Sequence, residues 1–127
     1  MPNIPNDLLY TRDHEYVRFA KDLAVIGITD FAQGELGDVV FVELPAPGAA
    51  VTAHAGFGTV EAVKAVSELV SPVTGEVLAV NPRLDKEPAL VNTDPYGEGW
   101  MIRVRLTNPE ARDGLLSPQD YATQIGA

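Results

Sequence analysis

The chain has no cysteine among its 127 residues, so it has no disulfide framework, no thiol nucleophile and no thiolate metal site. Histidine is nearly as scarce: only His14 and His54 are present, at no metal-ligand spacing. Basic residues are few, 9 Lys and Arg against 18 Asp and Glu, giving a formal net charge of −9 and a sequence pI near 4.5. Such a chain has no basic patch able to neutralise phosphates, which sets nucleic acid aside as a partner. The acidity favours solubility and steers association toward basic surfaces. No apolar run approaches membrane-spanning length, and the opening Met1–Asp7 lacks both an apolar stretch and a basic end, so it reads as neither a secretory signal nor a transit peptide. Gly56-Phe-Gly58 and Pro95-Tyr-Gly-Glu-Gly99 are too short and misplaced for phosphate loops and read as turns. Trp100 and Tyr96 read as core and edge packing. No serine nucleophile of recognisable context accompanies either histidine, which counts against an independent hydrolase.

What is present is a succession of short apolar strands separated by Gly/Pro turns. Glu15 to Phe19 and Leu23 to Ile28 flank a turn at Ala20-Lys21-Asp22, and Asp38 to Leu44 is a β-branched and aromatic run ended by Pro45-Ala-Pro-Gly48. A second strand group runs from Val51 to Val80, and Trp100 to Leu106 is a last alternating strand that puts Arg103 and Arg105 on one exposed face. Turns are expected at Asn81-Pro82 and from Asp85 to Pro88. Thr29 is placed to cap a brief helix over Asp30 to Glu35, limited by Gly34 and Gly37. Asn108-Pro109 and Ser117-Pro118 each set a capping residue before a first-turn proline, predicting two short helices, the second stopping at Gly126. Leu36-Gly-Asp-Val-Val-Phe-Val-Glu-Leu-Pro45 is echoed by Thr74-Gly-Glu-Val-Leu-Ala-Val-Asn-Pro82, as in a fold of two similar halves. The reading is a mainly β chain, one domain over residues 1–127, with a helical extension at about 108–126.

The most informative stretch is Gly58-Thr-Val-Glu-Ala-Val-Lys64-Ala-Val-Ser-Glu-Leu-Val-Ser-Pro72. By spacing alone it fits two templates. Val60, Val63, Val66 and Leu69 recur at near-helical intervals with Glu61 and Glu68 around Lys64, which would make Lys64 an ordinary lysine of a solvated helix face. No Asn-Gly or similar signal at Val63-Lys64-Ala65 marks a hairpin instead.

Val60-Glu-Ala-Val-Lys-Ala-Val-Ser67 resembles the lipoyl-attachment segment of the H proteins of the glycine cleavage system, with Ala62 where that family usually has Ser. Three more blocks agree in order and spacing: His14-Glu-Tyr16, the run from Val25-Ile-Gly-Ile-Thr-Asp30 through Leu36 to Pro45, and Val91-Asn-Thr-Asp-Pro-Tyr-Gly-Glu-Gly-Trp100. The resemblance implies a flattened lipoyl/biotinyl-type β-sandwich (a barrel-sandwich hybrid) of two quasi-equivalent halves. It places Lys64 at a hairpin tip, carrying lipoate through an amide bond. It further implies a non-catalytic shuttle that takes the aminomethyl group from glycine decarboxylase (P protein) to aminomethyltransferase (T protein) and offers its dihydrolipoyl arm to dihydrolipoamide dehydrogenase (L protein). Lipoate-attaching enzymes are further implied partners. The chain is expected as a monomer in a bacterial cytoplasm, or in the mitochondrial matrix if it is a processed eukaryotic chain.

In such proteins the loaded arm folds into a surface cleft where acidic side chains can meet its amine. The resemblance assigns that position to Glu15 and to Glu68, where the family usually has Asp, with Asp13 beside them and His14 as a cleft-lining residue. On composition alone Asp13, Glu15 and Glu68 are surface carboxylates of an acidic chain. A biotinyl carrier would flank its lysine with methionines, where Val63 and Ala65 stand. A 2-oxo acid dehydrogenase lipoyl domain usually has Asp before the lysine and lacks the His14 and Trp100 blocks. A lipoyl relay in lipoate biosynthesis fits the same motifs.

Overall fold

The computed structural model describes residues 2–107 and 114–126. Among the described residues, nine strands form two antiparallel sheets. The larger contains β1 (Leu9–Tyr10), β2 (Glu15–Ala20), β3 (Leu23–Ile28), β9 (Ile102–Leu106), β8 (Gly75–Val80) and β5 (Ala50–Val51), in that spatial order. The smaller contains β4 (Val39–Glu43), β6 (Gly56–Ala62) and β7 (Val66–Val70), with β7 at one edge. The echoed segments therefore supply β4 to one sheet and β8 to the other.

Alternation along the strands builds the core. Val17, Ile26, Ile102, Val104 and Val77 are buried from the larger sheet, while Val39, Val42, Val60 and Leu69 are buried from the smaller with Ile28 and Met101. Leu44 and Phe57 pack against both clusters and join the layers as a flattened sandwich. A third cluster, Leu8, Tyr10, Tyr16 and Tyr121, seals the C-terminal helix against β1 and β2.

The expected helix caps form. Thr29 Oγ1 accepts from Ala32 N–H at 3.1 Å at the start of α1 (Asp30–Leu36), and Ser117 Oγ accepts from Asp120 N–H at 3.1 Å at the start of α3 (Pro118–Ile125), which ends at left-handed Gly126. The helix expected from Asn108-Pro109 lies outside the described residues.

Helices are not confined to those two places, and this corrects the sequence reading. Pro82–Asp85 forms a 3-10 turn rather than an open turn, because Asn81 Oδ1 accepts from Arg83 N–H at 3.1 Å and Pro82 presets the first helical φ. Leu90–Thr93 forms a single helical turn, α2, with no side-chain cap. One uncapped turn is too short to leave a periodic trace in sequence.

Candidate functional site

The segment around Lys64 resolves as a hairpin. β6 and β7 pair with Val60 opposite Ser67 and Glu61 opposite Val66, and the turn closes through Ala62 N–H donating to Ala65 O at 2.7 Å. Strand alternation replaces the helical spacing: Val60 and Leu69 turn into the core, while Val63 and Val66 are exposed around the tip. Neither Val63 nor Lys64 adopts a positive φ, so this is not the primed turn that asks for Asn-Gly. Val63 N–H donates to Asp38 O at 3.0 Å, so the neighbouring β4 entry helps hold the turn. That long-range bond explains why the local sequence carries no hairpin signal.

Lys64 is exposed and, among the described residues, forms no ion pair. Its stem lies over Gly37, where an added Cβ would stand 3.2 Å from Lys64 Cε. Gly37, with φ 82 and ψ −157, occupies backbone space that is essentially glycine's alone, and it ends α1 with its N–H bonded to Gln33 O at 2.9 Å.

A cleft of ≈ 220 Å³ opens between α1 and β7, and it brings Asp13, His14, Glu15 and Glu68 together. Ile28, Phe31 and Leu36 give it an apolar lining. Lys64 is not part of that lining; it stands four residues before Glu68, beyond the start of the same strand.

Glu15 is the deepest polar group of the cleft, only 2% exposed. Its Oε1 accepts from the Thr11 hydroxyl at 2.9 Å and its Oε2 from Val70 N–H at 3.3 Å. The second bond reflects topology, since β7 is an edge strand and alternate amides along it face outward. Burial outweighs these two donors and pushes the carboxyl up to about 8, so Glu15 holds a proton near neutrality.

His14 has φ 69, and its main chain ties the Thr11–Glu15 turn to α1 by donating to Thr11 O at 3.1 Å and accepting from Thr29 N–H at 3.0 Å. Its Nδ1 lies 2.9 Å from the Tyr121 hydroxyl, and its ring packs on Phe31 at a centroid distance of 5.0 Å. Burial lowers the imidazole below its usual range, which keeps it neutral. Asp13 is exposed at the rim, its N–H donating to Thr11 Oγ1 at 3.2 Å. Glu68 is exposed too. Its carboxylate leans over Gly56, where an added Cβ would lie 2.5 Å from Oε2.

Two residues of this site were not legible in the sequence. Thr11 organises the turn, accepting from the backbone N–H of Asp13 and of Glu15 while donating to the Glu15 side chain. A threonine four residues before the glutamate is its only trace. Tyr121 reaches His14 across 107 positions, and no local pattern reports such a contact.

Residues 8–126 match the family described as Glycine cleavage H-protein. The chain is 58% identical over 125 residues to a glycine cleavage system H protein of Rubrobacter xylanophilus, covering 98% of this chain and 97% of that one. It is 53% identical over 126 residues to that of Chlorobaculum tepidum, covering 98% of each. Among solved structures, the crystal structure of a glycine cleavage system H protein from Mycobacterium marinum superposes with a TM-score of 0.91 at 40% identity, covering 98% of this chain and all of that one. An exposed hairpin-tip lysine beside an acid-bearing cleft, on a flattened sandwich that this sequence shares along its whole described length, leads to one assignment: the chain belongs to the glycine cleavage H-protein family.

Proposed function

We propose that the chain is the lipoyl carrier of a glycine cleavage system, with lipoate held in amide linkage to Lys64 Nζ and the cleft floored by Glu15 as the resting place of the arm. The observation that carries this is the placement of Lys64. It projects from a tip anchored to β4, and the cleft opens along the same edge strand at Ser67 and Glu68, roughly 10–14 Å away for three to four extended residues. A long unbranched side chain extended by an acyl chain spans that separation, and the apolar walls at Ile28, Phe31 and Leu36 suit a hydrocarbon arm.

When attached, lipoate supplies a disulfide that accepts the aminomethyl group left as glycine loses carbon dioxide, and whose dithiol is later reoxidised. The decarboxylase, the aminomethyltransferase and the dihydrolipoamide dehydrogenase provide the catalysis, and the chain is a non-catalytic carrier. Its own contribution is to raise the effective concentration of a tethered group at each enzyme and to shelter that group between visits.

The cleft residues perform the sheltering. A protonated amine leaving water for an apolar cleft needs a carboxylate partner. Glu15 becomes one by releasing its proton to solvent as the cation arrives, while the Thr11 hydroxyl and the Val70 amide stay in place to steady its oxygens. Glu68 and Asp13 add negative charge at the rim, and His14, neutral and pinned to Tyr121, shapes the wall without competing for the cation.

Peptide mapping of natively expressed chain tests the assignment. The lipoyl mass should sit on the peptide containing Lys64 and be lost in Lys64→Arg. Modification at Lys21 or Lys86, or biotin in place of lipoate, would overturn it.

A further inference from the structure

Among the described residues, the large apolar side chains that stand exposed are Leu23, Val40, Phe41, Val63 and Val66, and four of these gather at the Lys64 end of the smaller sheet. Val40 and Phe41 are adjacent in sequence yet 52% and 47% exposed. A register shift in the β4–β6 pairing between Val39 and Phe41 explains this, since the extra residue lets two consecutive side chains face water where a regular strand would turn one inward. Phe41, Glu61 and Val66 then stand directly opposite one another across β4, β6 and β7, forming one row beside the tip. The next outward-facing row, Glu43, Thr59 and Glu68, is polar. The result is a small patch in which the apolar Phe41 and Val66 flank Glu61, with Val40 and Val63 toward the tip, Asp38, Glu43 and Glu68 around it and Lys64 at its margin.

The charges decide what can cover it. A second copy of this chain, meeting it through a twofold contact, would set four carboxylates against the same four with only Lys64 on each side as a basic counterpart. An enzyme face that sets apolar side chains against Phe41 and Val66 and arginine or lysine against Glu61 and the surrounding carboxylates is complementary in both respects. Reach decides which enzyme. Once the arm is attached, an active site can work at a distance from the tip. An enzyme acting on the unmodified lysine has only that side chain to span the gap, so its body must lie on the surface around the tip.

We propose that the Phe41/Val66 face is the docking surface for the enzyme that acylates Lys64, a deepening of the carrier reading that rests on Lys64 as the attachment site. In that reaction Nζ, as the free amine, attacks the carbonyl carbon of an activated acyl donor, an acyl adenylate or an acyl thioester. The amide forms, the adenylate or thiol leaves with the electron pair, and the Nζ proton passes to the leaving group or to solvent. The patch holds the two chains together while this occurs, so its loss weakens encounter more than turnover.

The test uses the unmodified full chain as substrate for a lipoate–protein ligase with lipoate and ATP, followed by intact mass over a range of chain concentrations. The double variant Phe41→Thr/Val66→Thr places β-branched threonine at both exposed strand positions, so the fold should survive, and its Tm is measured alongside. The expected result is a KM raised about tenfold with kcat nearly unchanged, as for the loss of roughly 1.4 kcal/mol of binding. Leu23→Thr, which removes an exposed large apolar side chain that lies off this patch, should leave KM as it is. A wild-type KM in a folded double variant overturns the proposal. So does an equal rise in Leu23→Thr, or a wild-type dimer in sedimentation that the double variant dissolves. Acylation of a Lys64→Arg chain would instead bring down the attachment reading, and so separates the two failures.

Discussion

The Tyr121 hydroxyl stands 2.9 Å from Nδ1 of His14 and 2.7 Å from Oγ1 of Thr29, so a side chain of the C-terminal helix links the cleft wall to the start of α1. Thr29 Oγ1 already accepts from Ala32 N–H. The arrangement that satisfies every atom has the Thr29 hydroxyl donating to Tyr121 and the Tyr121 hydroxyl donating to His14, which places the imidazole proton on Nε2, away from Tyr121. Burial supports the neutral phenol, whose pKa is pushed up to about 12.

Tyr121→Phe keeps the ring stacked on Tyr10 at 4.7 Å but deletes both bonds. Leaving His14 Nδ1 and the Thr29 hydroxyl proton without the partner they share should destabilise the fold by about 1–3 kcal/mol, although Thr29 Oγ1 still accepts from Ala32 N–H. Urea unfolding would measure this, and imidazole nitrogen shifts would show His14 no longer held in a single tautomer. Unchanged stability together with an unchanged tautomer would refute the link.

Glu15 should make stability fall as pH rises. Its native pKa of about 8 lies above the unfolded value of about 4.3, so between those pH values the folded state binds more protons. The stabilisation is complete below the unfolded pKa and is lost as pH climbs through the native one. His14 acts oppositely on the acid side, because a depressed native pKa withdraws stability as pH drops below about 6.5. Glu15→Gln should therefore flatten the profile between pH 7 and 9, where this group withdraws about 1.4 kcal/mol from wild type, most of it below pH 8, read from denaturant midpoints at each pH. Parallel profiles for the two chains would show that Glu15 does not carry the slope.

How much of this was legible in the sequence depends on how local each cause is. The caps at Thr29 and Ser117 act within three residues and can be read directly. Asn81-Pro82 carries the same kind of signal as Ser117-Pro118, and reading it as an open turn overlooks a cap of the same chemistry. The Lys64 tip is different. Its turn relies on the Asp38 carbonyl, so spacing alone favours a helix face and only resemblance to a family points to the hairpin. The cleft lies further still from local patterning. Resemblance brings Asp13, His14, Glu15 and Glu68 to one place, but it reveals neither the Thr11 clamp nor the burial that keeps Glu15 protonated.

The same glycine-to-alanine change should have opposite signs at two positions. At Gly27 an added Cβ would lie 2.7 Å from the ring of Tyr16, which is fully buried and fixed by its hydroxyl donating to Pro95 O at 2.6 Å. The ring cannot withdraw, so Gly27→Ala should cost about 1–3 kcal/mol. Gly34 lies inside α1 with nothing within 4 Å of the added carbon. There Gly34→Ala should add about 0.4–1 kcal/mol by reducing the freedom of the unfolded chain. Thermal melts of the two variants should bracket wild type.

Glu68 can be tested by moving its charge as well as by removing it. Its carboxylate lies over Gly56, so Gly56→Ala, whose new carbon would stand 2.5 Å from Oε2, must displace a flexible side-chain end and should disturb the fold little. Glu68→Gln removes the charge and leaves the position alone. If Glu68 helps hold the amine of a loaded arm at the cleft rim, both variants should release that one-carbon group as formaldehyde faster than wild type. The change should be about two- to fivefold, because an exposed charge pair contributes about a kcal/mol or less. Acceleration in Glu68→Gln alone would show that the carboxylate acts through the general field of an acidic surface. Equal release from all three chains, with Lys64 fully modified, would show that protection of the arm rests on Glu15 and the apolar walls.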